Sequence, residues 1–380
     1  MMLAVAGTGS DGPLGDLRIL DFSRVLAGPF ATMMAADLGA TVTKVERPGI
    51  GDETRSWGPP YDEYGMPTYF QSVNRNKRSV VLDLRAPADL ERAIVLAREA
   101  DVVVENFRPG VMDRLGLGYE QLSADHPGLV YCSITGFGSG AGAELPGYDL
   151  LVQALGGLMS ITGAPDGEPQ KVGVALVDVL AGLFSTVGIL AALRHRDATG
   201  EGQLVEVNLL AALLAGLVNQ ASAFTIAGVV GTRLGNAHPS ISPYELYPAG
   251  EGEVVVAVGN ERQFAALCDV IGAPELAADE RFATNRDRVA NRETLRAELV
   301  TRLAKRPASY WARELTAVRV PAGEVNDLRG AFELAESLGL DPIVQVPAGD
   351  GRTVALTRNP IRLSRTPPTY RSAPPPLPER

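Results

Sequence analysis

The sequence predicts an α/β protein: a parallel sheet covered by helices on both faces, joined to a smaller α/β unit later in the chain. Three observations point there. From Leu17 to Val207, short β-branched runs alternate with helical stretches, and that alternation implies parallel strands with crossover helices. The chain has 380 residues, 46% hydrophobic and 21% charged, enough for several cores at about 100–200 residues per domain. Composition then shifts near Gly228, from apolar helices to a strand and charged helices.

The elements follow in order. Leu17 to Phe22 (LRILDF) reads as a strand, Gly28 to Leu38 has helical spacing, and Thr41 to Glu46 (TVTKVE) is the next strand. Ser79 to Leu84 (SVVLDL) is the third. Ala86 to Ala100 is an amphipathic helix opened by Pro87, where a missing N–H costs nothing. Val102 to Phe107 is a fourth strand, Pro109 and Gly110 introduce a short helix through Leu115, and Leu129 to Thr135 is a fifth strand. Asp149 to Thr162, Val179 to Arg196 and Ala211 to Ala227 read as helices, with Gln203 to Val207 a strand. The second unit has a strand, Glu253 to Val258, and helices Glu261 to Ile271, Asn291 to Lys305 and Ser309 to Leu315. Residues after Gly323 hold a helix, Leu328 to Leu338, and extended pieces, Ile343 to Val346 and Thr353 to Thr357. They are too few to stand alone. The expected division is 1–228, a smaller domain 229–320, and 321–380 returning to the first. The proline-rich end, RTPPTYRSAPPPLPER, is expected to be extended and loosely docked.

One stretch organises the chain: KVGVALVDVLAGLFSTVGILAALRHRDATGEG, residues 171 to 202. Asp178 stands before an uncharged run, Val179 to Leu193, that ends in Arg194, His195, Arg196 and then Gly200. Cations in a last turn with glycine beyond mark a helix C-terminus, so Asp178 falls in the first turn of a buried helix. The helix N-terminus favours its carboxylate, while apolar surroundings raise its pKa and strip water from it. A poorly hydrated but ionised carboxylate suits a covalent nucleophile. An ordinary helix-start acid without chemistry fits the same local pattern.

Composition excludes several functions. The net charge of -10 argues against a general nucleic-acid binder. Cys132 and Cys268 are too far apart to suggest a disulfide framework or a metal spacing, and no two of the three histidines stand at ligand spacing, so no metal is expected. The start, MMLAVAGTGSDGP, lacks a basic leader region, and the run after Asp178 falls short of the ~18 residues of a membrane span; a cytoplasmic, membrane-free protein is expected. The turn SRVLAGP after the first strand has no GxGxxG, and no phosphate-loop motif occurs, which disfavours a nicotinamide dehydrogenase. Yet basic residues crowd the first third: Arg47, Arg55, Arg75, Lys77, Arg78, Arg85, Arg108 and Arg114. Arg24, Arg47, Arg85 and Arg108 follow predicted strands, where open parallel sheets bind ligands. A polyanionic ligand with phosphates fits them; so does a solvated basic surface.

DFSRVLAGPFATMMAADLGATVTKVERP, NRNKRSVVLDL, VVVENFRPGVMDRLGLGYE, GYDLLVQALGGLMSITGAPDGEP and VALVDVLAGLFSTVGILAAL, in that order, resemble the class III coenzyme A transferase family. This is the family of formyl-CoA transferase, carnitine CoA-transferase and α-methylacyl-CoA racemase. The resemblance runs from about Leu17 to Leu363. It implies a large doubly wound, Rossmann-like domain built from both termini, a small domain from the middle, and an interlocked homodimer. It also implies Asp178 as nucleophile, attacking an acyl-CoA thioester to form a mixed anhydride that a second carboxylic acid consumes. The CoA contacts it implies are Arg24, Val25, Leu26, Ala27, Arg47, Leu82, Arg85, Asn106, Phe107, Arg108 and Arg114. Tyr148 and His238 are candidates for the acyl pocket. Arg24 and Leu26 replace a histidine and a glutamine of the formyl-CoA enzyme, and the family's usual C-terminal segment is replaced by SAPPPLPER. Coenzyme A is expected as substrate, with no tightly bound cofactor. The racemase is the alternative within the family; it needs two opposed acid–base groups and places a His–Asp pair where this chain has Tyr148–Asp149. A non-catalytic CoA-binding protein is the alternative outside enzymes. Gly136, Gly138, Gly140 and Gly142 suggest a mobile or closely approaching loop beside the site.

Overall fold

The computed structural model describes residues 12–349 and 351–378; most of the N-terminal stretch weighed above as a leader lies outside them. The chain divides into two compact units. The first holds the chain up to Leu158, then Val172–Val229, then the chain from Asp341 onward; the second holds Met159–Lys171 and Val230–Leu340.

The first unit is built on a six-stranded parallel sheet. Its strands are β1 (Arg18–Asp21), β2 (Thr41–Glu46), β3 (Lys77–Val81), β4 (Val102–Glu105), β5 (Val130–Thr135) and β6 (Leu204–Asn208). Their spatial order is β3-β2-β1-β4-β5-β6. Ile19 pairs with Val42 on one side and Val102 on the other. Chain direction across the sheet therefore reverses between β1 and β4. Ile19, Leu20, Val42, Val102, Val103 and Val104 are buried, as near-continuous apolar runs covered on both faces should be.

Four helices frame the organising stretch. Helix α1 (Ala27–Asp37) follows β1, α2 (Pro87–Arg98) follows β3, and α3 (Asp149–Leu155) precedes α4 (Leu176–Thr199). Asp178 is the third residue of α4, as the run of apolar residues predicts. The glycines of α4 are points of close approach: a Cβ on Gly182 would sit 2.7 Å from the Ala27 carbonyl of α1, and one on Gly188 2.6 Å from Val205 of β6. At its far end Gly200 has φ +82 and its N–H donates to the Arg196 carbonyl at 2.7 Å, the left-handed helix end that glycine permits.

Four expectations are corrected. Helix α4 is long and apolar enough to cross a membrane by length and composition, and it is not buried on all sides. One face packs on α1, β5 and β6; on another, Leu183, Phe184, Val187 and Leu190 stay 37–64% exposed. The predicted helix from Asp149 stops at Leu155, because Gly156 and Gly157 follow, the latter at φ +85. The predicted helix to Ala227 is two, α5 (Leu209–Gly216) and α6 (Val218–Ala227), bent by 84°. The proline-rich end is firmly docked. Arg371 donates to the carbonyls of Ala36, Gly39 and Ala40 and so caps the C-terminus of α1. Asn76 N donates to Ser372 O, and Ala373 N to Pro347 O.

The second unit holds a three-stranded antiparallel sheet, β7 (Tyr244–Pro248), β8 (Glu253–Ala257) and β9 (Ala322–Glu324). The sequence pattern had shown only β8. Because β9 pairs with β8, this unit extends past residue 320, to Leu340. Val254, Val256, Phe264, Leu267, Leu295, Leu299, Trp311 and Leu315 form its core. Strands β10 (Ile343–Ala348) and β11 (Arg352–Thr357) pair as an antiparallel ribbon in the first unit.

Candidate active site

Parallel sheets bind ligands beyond the carboxyl ends of their strands, where the strand order reverses. Here that point lies between β1 and β4. Asn106, after β4, clasps the turn after β1: its Oδ1 accepts from Arg24 N at 2.8 Å, and its Nδ2 donates to Arg24 O at 2.7 Å. Val25 follows with φ +69, a left-handed conformation that costs a β-branched residue energy. Two cavities open at this junction. One, about 210 Å³, is lined by Arg24, Val25, Leu26, Ala27, Asn106, Phe107, Arg108, Tyr148 and Asp178, among others. The other, about 540 Å³, is lined by residues including Arg24, Arg47, Leu82, Arg85 and Phe107. Arg24 and Phe107 border both, with the guanidinium 5.0 Å from the ring centroid. A third, larger cavity beside β3 and the β10–β11 ribbon is lined by Lys77 and Arg78 but by none of the CoA contacts that the resemblance implies.

Asp178 faces the smaller cavity, half-buried. Burial first, then the charge of Asp149, push its pKa up to about 7. This corrects the expected balance at the helix start. The α4 amides that were to favour the Asp178 carboxylate go elsewhere: Val177 N donates to Asp149 Oδ1 at 2.8 Å, and Asp178 N to the same oxygen at 3.3 Å. Desolvation and a like charge therefore outweigh the helix dipole. Near neutral pH the acid is about half ionised. Tyr69, on the short helix Thr68–Ser72, senses the same pair. Its phenol is pushed up to about 12 by burial, then by Asp178, Asp149 and Asp52. Sequence reading singled out neither Tyr69 nor the capping role of Asp149.

The glycine loop is close-packed rather than open. A Cβ on Gly136 would lie 2.5 Å from Gly147 Cα, and the converse holds for Gly147. Gly136, Gly138, Gly142 and Gly147 all line the smaller cavity, together with Phe137, Leu145 and Pro146 of the same stretch.

The arginine-rich first third splits into two groups. Arg75 pairs with Asp37 at 2.6 Å, Lys77 with Asp21 at 3.2 Å and Arg55 with Glu46 at 2.7 Å, all with their carboxylates buried. Lys44 pairs with Asp52 at 2.9 Å, both buried. These cations belong to the scaffold. Arg47 pairs with Glu53 at 3.5 Å and Arg85 with Asp83 at 2.9 Å, yet both keep exposed guanidiniums, 45% and 89% by side chain, and Arg108 is exposed. Arg24 pairs with Glu53. Arg114 ends the helix Val111–Arg114 and lines neither cavity at the β1–β4 junction. His238 lies in the second unit and is not among the residues lining the Asp178 cavity. There its Nδ1 accepts from Ser240 N at 3.0 Å and its ring meets Tyr244 edge-on.

Known proteins resemble this chain across almost its whole length. The sequence profile of CoA-transferase family III matches residues 14–380. A succinate–glutarate CoA-transferase from Agrobacterium fabrum is 43% identical, the match covering 97% of this chain and 93% of the relative. An acetyl-CoA:oxalate CoA-transferase from Acetobacter aceti is 41% identical, covering 93% and 90%. The crystal structure of a CAIB/BAIF family protein from Brucella suis superposes with a TM-score of 0.85 at 42% identity, covering 96% of each chain. The racemase and non-catalytic alternatives draw no support from these relatives. The parallel six-stranded sheet, the matched profile and the named transferases agree: the chain belongs to CoA-transferase family III and is an enzyme of that class.

Proposed function

We propose that this enzyme moves coenzyme A between an acyl-CoA thioester and a free short dicarboxylic acid, with Asp178 as the covalent nucleophile. One observation carries the reading. The half-buried Asp178 carboxylate lines a small cavity that shares Arg24 and Phe107 with an arginine-lined cavity at the sheet's ligand-binding end. The larger cavity takes the nucleotide of CoA, with Arg47 and Arg85 meeting its phosphates. The smaller takes the thioester. The names of the relatives, with succinate, glutarate and oxalate among their acids, support the acid class.

An Asp178 oxygen attacks the thioester carbonyl; the C–S bond breaks, and the sulfur leaves with the electron pair as thiolate. Its pKa of about 8.5, by analogy with cysteine, makes it a good leaving group. Asp178 is now a mixed anhydride. The acceptor carboxylate attacks the aspartyl carbonyl and releases the donor acid, carrying one former Asp178 oxygen. The thiolate then attacks the acceptor's acyl carbon, which yields the new thioester and regenerates the Asp178 carboxylate. Binding of the remote nucleotide holds the thiolate in place throughout. Water must stay out, or the anhydride hydrolyses.

The exposed stripe Leu183, Phe184, Val187 and Leu190 on α4, with Phe224 and Ile226 on α6, is more apolar than a lone chain presents to water. A second copy covers it, in a cytoplasmic homodimer. The nucleophile is tested directly by incubating enzyme with succinyl-CoA and hydroxylamine and mapping the modified residue. A hydroxamate at 178 is expected. Modification elsewhere, or none under turnover, refutes the reading.

A further inference from the structure

We infer that Asp149 is a positioning residue for the transfer: its carboxylate occupies the amide end of α4 and so keeps the Asp178 carboxylate poorly stabilised and reactive. The inference rests on Asp178 being the nucleophile. Asp149 opens α3, and its two oxygens are held from different sides. Oδ1 accepts from Val177 N and Asp178 N, at 2.8 and 3.3 Å. Oδ2 accepts from Gln153 Nε2 at 2.6 Å, and the fully buried Gln153 in turn accepts from Val172 N at 2.9 Å. The carboxylate cannot turn away from α4.

A purely structural cap needs an acceptor oxygen, not a charge; asparagine, serine or threonine serves as well. Here a full charge sits beside a second carboxylate in a poorly hydrated pocket. No cation offsets it: among the described residues, neither acid forms an ion pair with Lys or Arg. The charged and titratable groups around Asp178 are Asp149, the Tyr69 phenol, and Arg24, Glu53, Arg108 and the Tyr148 phenol at the cavity wall. Arg24 is paired with Glu53.

The chemistry follows from the charges. Free Asp178 is repelled by Asp149, and its pKa stands near 7. In the anhydride Asp178 is neutral, and the repulsion is gone. Asp149 therefore raises the free carboxylate relative to the covalent state, and binding equal in both states would not do this. It also makes the nucleophile more basic. With a Brønsted slope of about 0.4–0.5, as for thiolates, each unit of basicity is worth about threefold in rate.

The test compares wild type with D149N and D149T, two neutral variants of which one that folds suffices. Single-turnover conversion of residue 178 to its hydroxamate, in which hydroxylamine attacks the aspartyl carbonyl and the donor acid leaves, is followed from pH 5 to pH 9. We expect the wild-type acid limb near pH 7 to move down by about one unit or more, and the rate at pH 9 to fall about threefold. Capture that falls with an unmoved limb is what a structural cap gives, and it overturns the inference. Adduct on a residue other than 178 in the wild type is a different failure: it removes the nucleophile, and this role with it. A carbon-13 carboxyl titration of wild type, assigned with D178N, reads the same acid without turnover. Titration below pH 5 there overturns the inference whatever the variants do.

Discussion

Replacing Asp178 by asparagine should abolish transfer and, above neutral pH, stabilise the fold. The second effect follows from the site's electrostatics. The carboxyl has an ordinary value of 3.8 and stands at about 7 in the folded chain. At about 1.4 kcal/mol per pKa unit, its ionised form costs the folded state up to about 4 kcal/mol above pH 7. Water reaching a half-buried side chain trims that, so a gain of about 1–3 kcal/mol at pH 8 is expected. The sign is fixed by the direction of the shift. A raised folded pKa gives stability that is fully present below 3.8 and is lost as pH rises through 7. Asparagine stays neutral throughout, so its advantage grows across that window, is about a third as large at pH 5, and vanishes near pH 3.5. Urea unfolding at fixed chain concentration, at pH 5 and pH 8, measures it. A variant no more stable than wild type at pH 8, or equally favoured at both pH values, would refute the idea that the acid is held in an unfavourable environment.

Three further outcomes are expected. Arg85→Ala should raise KM for an acyl-CoA about tenfold with little change in kcat, because it removes binding common to ground and transition states; an acyl-pantetheine, which lacks the nucleotide, should not feel the change, and equal losses with both substrates would remove Arg85 from the nucleotide site. Asn106→Ala deletes both bonds that hold Arg24 and should cost about 1–3 kcal/mol in chemical denaturation, with kcat/KM falling by tenfold or more as the turn at Val25 relaxes; unchanged turnover would show that the turn's shape is not needed. Lys77→Met leaves Asp21 buried without its closest cation and should destabilise by about 3–5 kcal/mol; a neutral result in denaturant titrations would mean that Lys44 and the hydroxyls around Asp21 suffice.

Legibility in the sequence followed the range of the cause. The sheet strands and α4 are set by local patterns, apolar runs punctuated by glycine, and they were readable. So was the place of Asp178 on its helix. Its electrostatics were only half readable: the apolar run announces the burial that is the larger cause of the raised pKa, but the like charge that adds to it lies 29 residues away in sequence. A carboxylate at a helix start suggests free amides waiting for it. Here another acid has taken them, and the same local sequence gives a raised rather than a lowered pKa. The breaks after Leu155 and Gly216 were missed for the opposite reason. Gly156, Gly157 and Gly216 stand in the sequence, but apolar periodicity runs through them, and only packing decides that the chain turns. A Cβ on Gly156 would lie 2.5 Å from Leu213.

The arginines make the same point about charge. Eight basic residues in the first third fit either a ligand site or a solvated basic surface. Burial against acids divides them, and at β3 strand register does so between neighbours. β3 begins at Lys77, so Lys77 points into the buried cluster around Asp21 while Arg78, one residue on, is exposed, as alternation along a strand requires. The buried members hold the strand ends and the turn after β1 in place: Lys44 donates to Ser23 O at 2.7 Å, and its partner Asp52 accepts from Thr54 N at 3.0 Å. The exposed members are then presented at fixed positions by a scaffold of their own kind. A cation in this stretch is free for phosphate only where no buried acid claims it.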